Sequence, residues 1–308
     1  MKPKILIIAG PTASGKKRLA LETAERFGGE IVSADSRKVY RYLDIGTAKP
    51  SLEDRKKIPY HLINIIDPDE SFSAGEWVGC ASTAVRDILA RSRLPILTGG
   101  TGFYISAFCE GLSENIVPIP EVRQNLEEEL AASGSSAMYS KLMSVDPQRA
   151  RDLHEHDTFR VLRALEIYYS TDMTFAELKK SAKVTGGDYD YFTIGIAIDR
   201  EILYKRINER VDDMVSKGLV DELKKILDMG YSRELVSLDT VGYKEWFPLL
   251  DGRKPFEQCL DDVKKDTRRY AKRQMTWFRS KPDIHWVDAL DTGSIEEKLK
   301  QVDVWLTN

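Results

Sequence analysis

The chain has 308 residues, 42% hydrophobic and 31% charged, which excludes a disordered protein and suffices for one large domain or two smaller ones. Its 46 basic and 49 acidic side chains leave a net charge of −3, so any nucleic-acid partner must be met by a local basic patch. Cys80, Cys109 and Cys259 are odd in number and widely spaced, which supports neither a disulfide framework nor a zinc knuckle and reads as buried, reduced thiols.

Ile5–Ala9 reads as a buried strand leading straight into a glycine loop, not as a secretory leader. No apolar run reaches the roughly 18 residues of a membrane helix, so the expectation is a cytoplasmic protein with no membrane contact. After the loop, Leu19, Ala20, Thr23, Ala24 and Phe27 fall at helical spacing, and Gly28-Gly29 ends that helix. Ile31–Ala34 is a second strand, ending at Asp35-Ser36. His61–Asp67 is a third, closed by Pro68, and a helix over about 74–91 leads to a fourth, Pro95–Thr98, which runs into Gly99–Gly102. This alternation predicts an α/β fold: a parallel sheet core flanked by helices, of the phosphate-loop type, with ligands at the carboxyl ends of the strands. The loop, Asp35 and Thr101 all fall on that edge.

From about Ile116 the texture changes. Pro118 and Pro120 introduce Glu121–Ala132, with Val122, Leu126 and Leu130 four apart, and three more helical stretches run to about Lys183 before Gly186-Gly187. Phe192–Ile198 resumes the strand pattern. The chain after Asp199 reads as helical nearly to Arg279, and the tail as a short strand and an amphipathic helix. The expected organisation is a core of residues 1–115 and 188–308 with an all-helical insertion, 116–187.

The chemistry begins at Gly10, Pro11, Thr12, Ala13, Ser14, Gly15, Lys16 and Lys17, one residue away from the phosphate-loop pattern G-x-x-x-x-G-K-[ST]. Its glycines let backbone N–H groups converge on phosphate oxygens at a helix N-terminus, and Lys16 reaches the terminal phosphates. Lys17 stands where a hydroxyl would ligate Mg²⁺, and an ammonium only donates. Either Lys17 brings a second positive charge to the phosphates, or it points to solvent and Mg²⁺ is held by substrate oxygens, water and hydroxyls such as Ser14 or Ser36.

Further motifs decide among the many users of such a loop: ADSRKVY (Ala34–Tyr40), LDIGTAKP (Leu43–Pro50), GGTGFY (Gly99–Tyr104), IPEVR (Ile119–Arg123), RALEIY (Arg163–Tyr168), DTVGYKE (Asp239–Glu245) and KRQMTWFR (Lys272–Arg279). With GPTASGK, their order and extent resemble the tRNA dimethylallyltransferases, also called tRNA isopentenyltransferases, over nearly the whole chain. The resemblance implies transfer of a dimethylallyl group from dimethylallyl diphosphate to the exocyclic N6 of the adenosine 3′ of the anticodon, in tRNAs reading codons that begin with U. It implies Asp35 as the base that takes the amine proton, Thr101 near both diphosphate and target base, Lys16 on the leaving group, and Arg210 clamping the diphosphate. Arg206 lies one turn from Arg210 on the same helix face. The residues alone also allow a helix cap or metal-side role for Asp35, a turn hydroxyl for Thr101 and a solvated charge for Arg210.

The tRNA-contact positions implied are Asp35, Ser36, Arg37, Lys38 and Thr101; Arg123; Phe159, Arg160, Val161, Leu162 and Arg163; Asp239, Thr240, Val241, Gly242, Tyr243 and Lys244; and Lys272, Arg273, Gln274, Met275, Thr276, Trp277, Phe278 and Arg279. The last group lies in a basic stretch where Val263, Tyr270, Ala271, Gln274, Trp277 and Phe278 are expected to face the core and Arg268, Lys272 and Arg279 the phosphates. The sequence departs from the family at Lys17, at Lys38 where a glutamine is usual, and at Thr171-Asp172 where Thr-Gly is usual. A C-terminal two-Cys, two-His finger is absent, as in the bacterial form. A monomer is expected. The other readings are a kinase or isopentenyltransferase acting on free adenine nucleotides, and a tRNA-binding pseudoenzyme marked by Lys17.

Overall fold

The computed structural model describes residues 2–111, 119–181 and 188–308. Ile116, Pro118, Lys183 and Gly186-Gly187, which bound the insert in the sequence, lie outside the described residues. By contact density the chain divides into two compact units, Met1–Phe108 with Asp188–Asn308, and Cys109–Gly187.

The first unit is built on strands β1 (Lys4–Ala9), β2 (Gly29–Ser33), β3 (Tyr60–His61), β4 (Leu94–Gly99), β5 (Asp190–Ala197) and β6 (His285–Asp288). They form one sheet in the order β3-β2-β4-β1-β5-β6, with every pair parallel. The expected α/β core is therefore present. Parallel strands covered by helices on both faces must be apolar on both faces, and Ile5, Leu6, Ile7 and Ile8 are all inaccessible or nearly so. Burying each such side chain contributes about 1.5–3 kcal/mol. The register sets Ile8 beside Thr98 and Ile194, and Ala9 beside Gly99 and Gly195, so β1 and β4 end level and β5 runs two residues further.

Around the sheet lie α1 (Lys16–Phe27), α2 (Leu52–Lys57), α3 (Ala74–Ala90), α4 (Gly102–Glu110), and, numbered past the four helices of the second unit, α9 (Arg200–Ser216), α10 (Leu219–Asp228), α11 (Phe247–Leu250), α12 (Phe256–Arg279) and α13 (Thr292–Thr307). The third strand is shorter than the expected His61–Asp67. Leu62 and Asn64 adopt φ of 62° and 57°, which breaks the pleat. The chain then leaves the sheet and pairs with the segment after Asp35 instead, Asn64 N–H donating to Lys38 O at 3.1 Å and Ile65 N–H to Val39 O at 2.8 Å. Nor is the chain continuously helical after Asp199. Between α10 and α12 only a 3₁₀ turn, Lys244–Trp246, and α11 interrupt loops punctuated by Gly230, Gly242, Gly252 and Pro255. Of the thiols expected to be buried, only Cys259 is; Cys80 is exposed and Cys109 partly so. Cys80 sits on the outer side of α3, whose inner face is Trp77, Ala81, Ala84 and Val85.

The second unit contains α5 (Pro120–Val145), α6 (Pro147–Arg151), α7 (Thr158–Thr171) and α8 (Phe175–Ser181). Gly134, at φ 79° and ψ 172°, divides α5 just beyond the end of the helix expected over Glu121–Ala132. Leu126, Met138, Leu142, Ala150, Val161, Leu162 and Leu165 form the unit's own core. No helix among the described residues is long and apolar enough to cross a membrane.

Candidate active site

The loop between β1 and α1 turns through left-handed backbone at Ala13 (φ 61°) and Gly15 (φ 99°). Gly15 is the N-cap of α1; it supplies no side-chain cap, and the first helical turn holds no acidic residue. A helix start left without a protein anion presents its first amides and its partial positive charge to a ligand.

Cations gather on that amide cradle. Lys16 Nζ donates to Pro11 O at 3.0 Å. Burial, with the charges of Lys38 and Arg210, brings the Lys16 ammonium down to about 7, against the opposing pull of Asp35. Burial also lowers Lys38, with Asp35 opposing, and Arg210 of α9, with Asp35 again opposing. One turn earlier, an Arg206 guanidinium nitrogen lies 4.0 Å from where a side chain on Gly15 would begin. Lys16, Lys38 and Arg210 thus share the field of one carboxylate, Asp35. Such an excess of half-buried positive charge suits a multiply charged anion.

Asp35 follows β2, and its Oδ1 accepts from Arg37 N at 3.0 Å and Lys38 N at 3.4 Å, an Asx turn that fixes the carboxylate. Thr101 closes on the same turn. Its N–H donates to Ala34 O at 3.2 Å, its Oγ1 accepts from Ser36 N at 3.0 Å, and its hydroxyl lies 3.4 Å from Ser36 Oγ. The approach is possible because residue 99 is glycine: a Cβ there would sit 1.8 Å from Ala34 O. Behind Asp35, Tyr104 stacks on Trp77 with ring centroids 4.8 Å apart, and burial raises its hydroxyl to about 12 with Tyr40 and Asp35 nearby. Tyr104, and Tyr270, expected only to face the core, are neighbours in the field of Asp35 to which the sequence reading gave no part in the site. The GGTGFY motif contained the first of them.

Lys17 is neither free at the phosphates nor pointing unpaired into solvent. Its ammonium meets Asp54 Oδ2 at 2.5 Å, on the first turn of α2, where Asp54 also forms a capping box with Ser51. Among the described residues no three His, Cys, Asp or Glu side chains converge on a metal position. Ser14 Oγ is fully buried without a partner, and Ser36 is half-buried beside Thr101. This thin donor set suits Mg²⁺, which keeps several waters and takes its remaining ligands from substrate phosphates and one or two protein oxygens.

On α12 the helical period separates two faces. Ala271, Gln274, Met275 and Phe278 are buried, whereas Lys272, Arg273, Thr276 and Arg279 are exposed. Trp277 is 37% exposed with its indole against Gly102, not in the core. Arg268, expected on the phosphate-facing side, instead donates to Asn208 Oδ1 at 2.7 Å and ties α12 to α9. In DTVGYKE, Tyr243 and Gly242 are buried, and Asp239 and Lys244 are exposed and paired at 3.1 Å. The Tyr243 hydroxyl donates to Glu222 Oε1 at 2.6 Å, and the same carboxylate accepts from the amides of Asp44, Ile45 and Gly46. The side chain of Tyr243 therefore holds the LDIGTAKP loop and offers no open contact surface. Arg37 Nη1 donates to Val236 O at 2.7 Å.

In the second unit, Phe159 is 71% exposed and Arg160 pairs with Asp157 at 2.8 Å. Val161 and Leu162, the next two positions, are core residues. Arg123 and Arg163 flank the buried Glu166, the latter at 2.8 Å and the former at 3.6 Å.

The family model described as IPP transferase matches residues 38–281, more than half of the chain. The tRNA dimethylallyltransferase of Acetivibrio thermocellus is 40% identical over 98% of this chain and 97% of its own. The crystal structure of the full-length tRNA isopentenylpyrophosphate transferase from Bacillus halodurans superposes with a TM-score of 0.72 at 39% identity, covering 99% of this chain and 96% of that one. A eukaryotic dimethylallyltransferase acting on tRNA superposes with a TM-score of 0.82 at 28% identity, over 98% of this chain and 78% of that one. The phosphate loop precedes the matched family segment, but the full-length relatives extend over it. The chain belongs to the IPP transferase family.

Proposed function

We propose that this protein is a tRNA prenyltransferase that moves a dimethylallyl group from dimethylallyl diphosphate to N6 of the adenosine 3′ of the anticodon, in tRNAs reading codons that begin with U. It would do so as a monomer in the cytoplasm. The observation that carries this reading is the juxtaposition of an uncapped phosphate loop, its three half-buried cations and the fixed carboxylate of Asp35. The relatives over nearly the full chain length are tRNA dimethylallyltransferases.

The diphosphate lies on the loop amides, with Lys16 on its terminal phosphate and Arg206 and Arg210 on the α9 side. As the bond between the allylic carbon and diphosphate oxygen breaks, its electron pair leaves with the diphosphate, and donors already aimed at that oxygen stabilise the growing charge. The adenine amine forms the new N–C bond, and its proton passes to Asp35. The turn from Arg37 and Lys38 holds that carboxylate still, and Thr101 holds the turn through Ser36. Ser14 or Ser36 would supply the protein hydroxyl for Mg²⁺, beside substrate oxygens and water, and the ion would offset the charge of the leaving group. The target base must leave its stack, at a cost of a few kcal/mol. The outer face of α12 (Lys272, Arg273, Thr276, Arg279) and the exposed Phe159 and Arg160 of the helical unit are the RNA contacts. The inward Val161, Leu162, Tyr243, Gln274, Met275 and Phe278 shape those surfaces from beneath.

The test is transfer of labelled dimethylallyl to unmodified tRNA with Mg²⁺ titrated from none to excess. Transfer that rises with Mg²⁺ supports the reading. Strong competition by free adenine nucleotides would overturn the RNA substrate, and absence of transfer with tRNA binding intact would overturn the enzyme.

A further inference from the structure

Gln274 sits on the inner face of α12, only 7% exposed. Its Oε1 accepts the Thr12 amide of the phosphate loop at 2.8 Å, and its Nε2 donates to the carbonyl of Gly100 at 2.9 Å. One turn earlier on the same helix, Tyr270 lies beside this side chain. The amide orientation is dictated by its partners: a backbone N–H can only face the oxygen and a carbonyl only the nitrogen. Residue 100 lacks a side chain at the point of contact, since a Cβ there would lie 2.2 Å from Nε2.

We infer that Gln274 is a positioning residue for the transfer reaction, setting the separation between the loop that holds the diphosphate and the turn that carries Thr101. The inference rests on the prenyl-transfer reading above. Two loops at the ends of neighbouring strands, β1 and β4, have no backbone hydrogen bond of their own that bridges Thr12 and Gly100; the side chain supplies the bridge. Of the side chains of this length, only an amide donates and accepts at once. Reacting groups must be held within about 0.5 Å of their productive geometry, so a bridge between the leaving-group site and the Thr101 turn acts directly on rate. The same helix presents Lys272, Arg273, Thr276 and Arg279 outward. The RNA-facing surface and the phosphate loop are thereby joined through a single residue.

The experiment compares wild type with Gln274→Met and Gln274→Glu. Dimethylallyl diphosphate affinity is measured by calorimetry without tRNA, kcat and KM by transfer, and Tm by melting. Methionine keeps the volume and loses both bonds. Glutamate accepts from Thr12 but donates to Gly100 only when protonated. Gln274→Met is expected to keep a Tm near that of wild type, to bind the diphosphate about tenfold more weakly and to lose at least as much in kcat, with KM for tRNA unchanged. Gln274→Glu is expected to regain activity relative to wild type as pH falls, a signature that a space-filling role would not produce. Wild-type kcat and diphosphate affinity in Gln274→Met would overturn the inference. So would a Gln274→Glu profile parallel to wild type. A wild-type protein that binds no diphosphate would instead overturn the underlying reading of function.

Discussion

Diphosphate binding should take up a proton, and Lys16 should be where it goes. In the free protein, burial and the neighbouring Lys38 and Arg210 bring the Lys16 ammonium from 10.5 to about 7. A bound diphosphate supplies several negative charges beside it and favours the charged form. The sign follows directly. Below about pH 7 Lys16 is charged both free and bound, so no proton moves and affinity is flat. Above it the free pocket holds the neutral amine, and each binding event must take up a proton. At about pH 8 the uptake approaches one proton per site, and Kd weakens toward tenfold per pH unit. Dimethylallyl diphosphate suits the assay because its last phosphate ionisation, near pH 6, is over before this window opens.

Calorimetry in two buffers of different ionisation enthalpy reads the uptake. Lys16→Arg removes the titration, since a guanidinium stays charged, and should bind with no proton uptake. Lys38 is the other lowered lysine in this pocket, so Lys38→Gln is the control and should leave most of the uptake in place. Wild-type binding without uptake at about pH 8 would refute the electrostatic reading of the pocket. Full uptake persisting in Lys16→Arg would assign it to another group.

The other expectations concern proton transfer and RNA. Asp35→Asn keeps the Asx turn through its carbonyl oxygen but cannot take the amine proton; transfer should fall about 10²–10⁴-fold with tRNA affinity within a few fold, measured under single-turnover conditions. Loss of tRNA affinity in step with rate would make Asp35 a contact and not the base. Phe159→Ala removes a ring that is 71% exposed, where an aromatic has no folding role to play, and should leave Tm unchanged while weakening tRNA binding by about 1–3 kcal/mol.

How legible these features were in the sequence depends on how local they are. The apolar run of β1, the glycine loop and the start of α1 are contiguous, and backbone sterics with burial on both faces dictate them almost residue by residue. The third strand was misjudged because alternation cannot reveal that Leu62 and Asn64 adopt left-handed backbone, nor that the segment after Asp35 competes for its hydrogen bonds. The side-chain staples were invisible for a different reason. Glu222 reaches across 178 residues to the Asp44 amide, and Gln274 across 262 to Thr12. In the sequence the first is one charge on an amphipathic helix, and the second is a residue expected to face the core of a basic helix, with nothing to name its partner. Only the fold shows each to be the partner of a loop. Arg206 lies between these cases: its shared face with Arg210 was legible, and its proximity to Gly15 was not.

The two lysines that depart from the family pattern, Lys17 and Lys38, belong to a single electrostatic feature. The Lys17 charge helps lower the Lys38 ammonium, while Asp54 holds Lys17 and Asp35 opposes the lowering of Lys38. Removing Lys17 withdraws a positive charge from the neighbourhood of the diphosphate but relieves the repulsion on Lys38, which then charges more fully. The loss of Lys17 is partly compensated while Lys38 is present, and in the double variant it is not. Lys17→Thr and Lys38→Gln should therefore each weaken diphosphate binding modestly at about pH 8, and the double variant by more than the sum, with an interaction of about 0.5–1 kcal/mol. Calorimetry on all four proteins in chelator closes the cycle. Additivity within about 0.3 kcal/mol would mean that the lysines act independently and that Asp54 alone disposes of the Lys17 charge. Lys17→Thr also restores the hydroxyl at this position, so repeating the cycle with Mg²⁺ separates the charge effect from metal ligation. The charge coupling should survive in chelator, where a hydroxyl has no ion to hold.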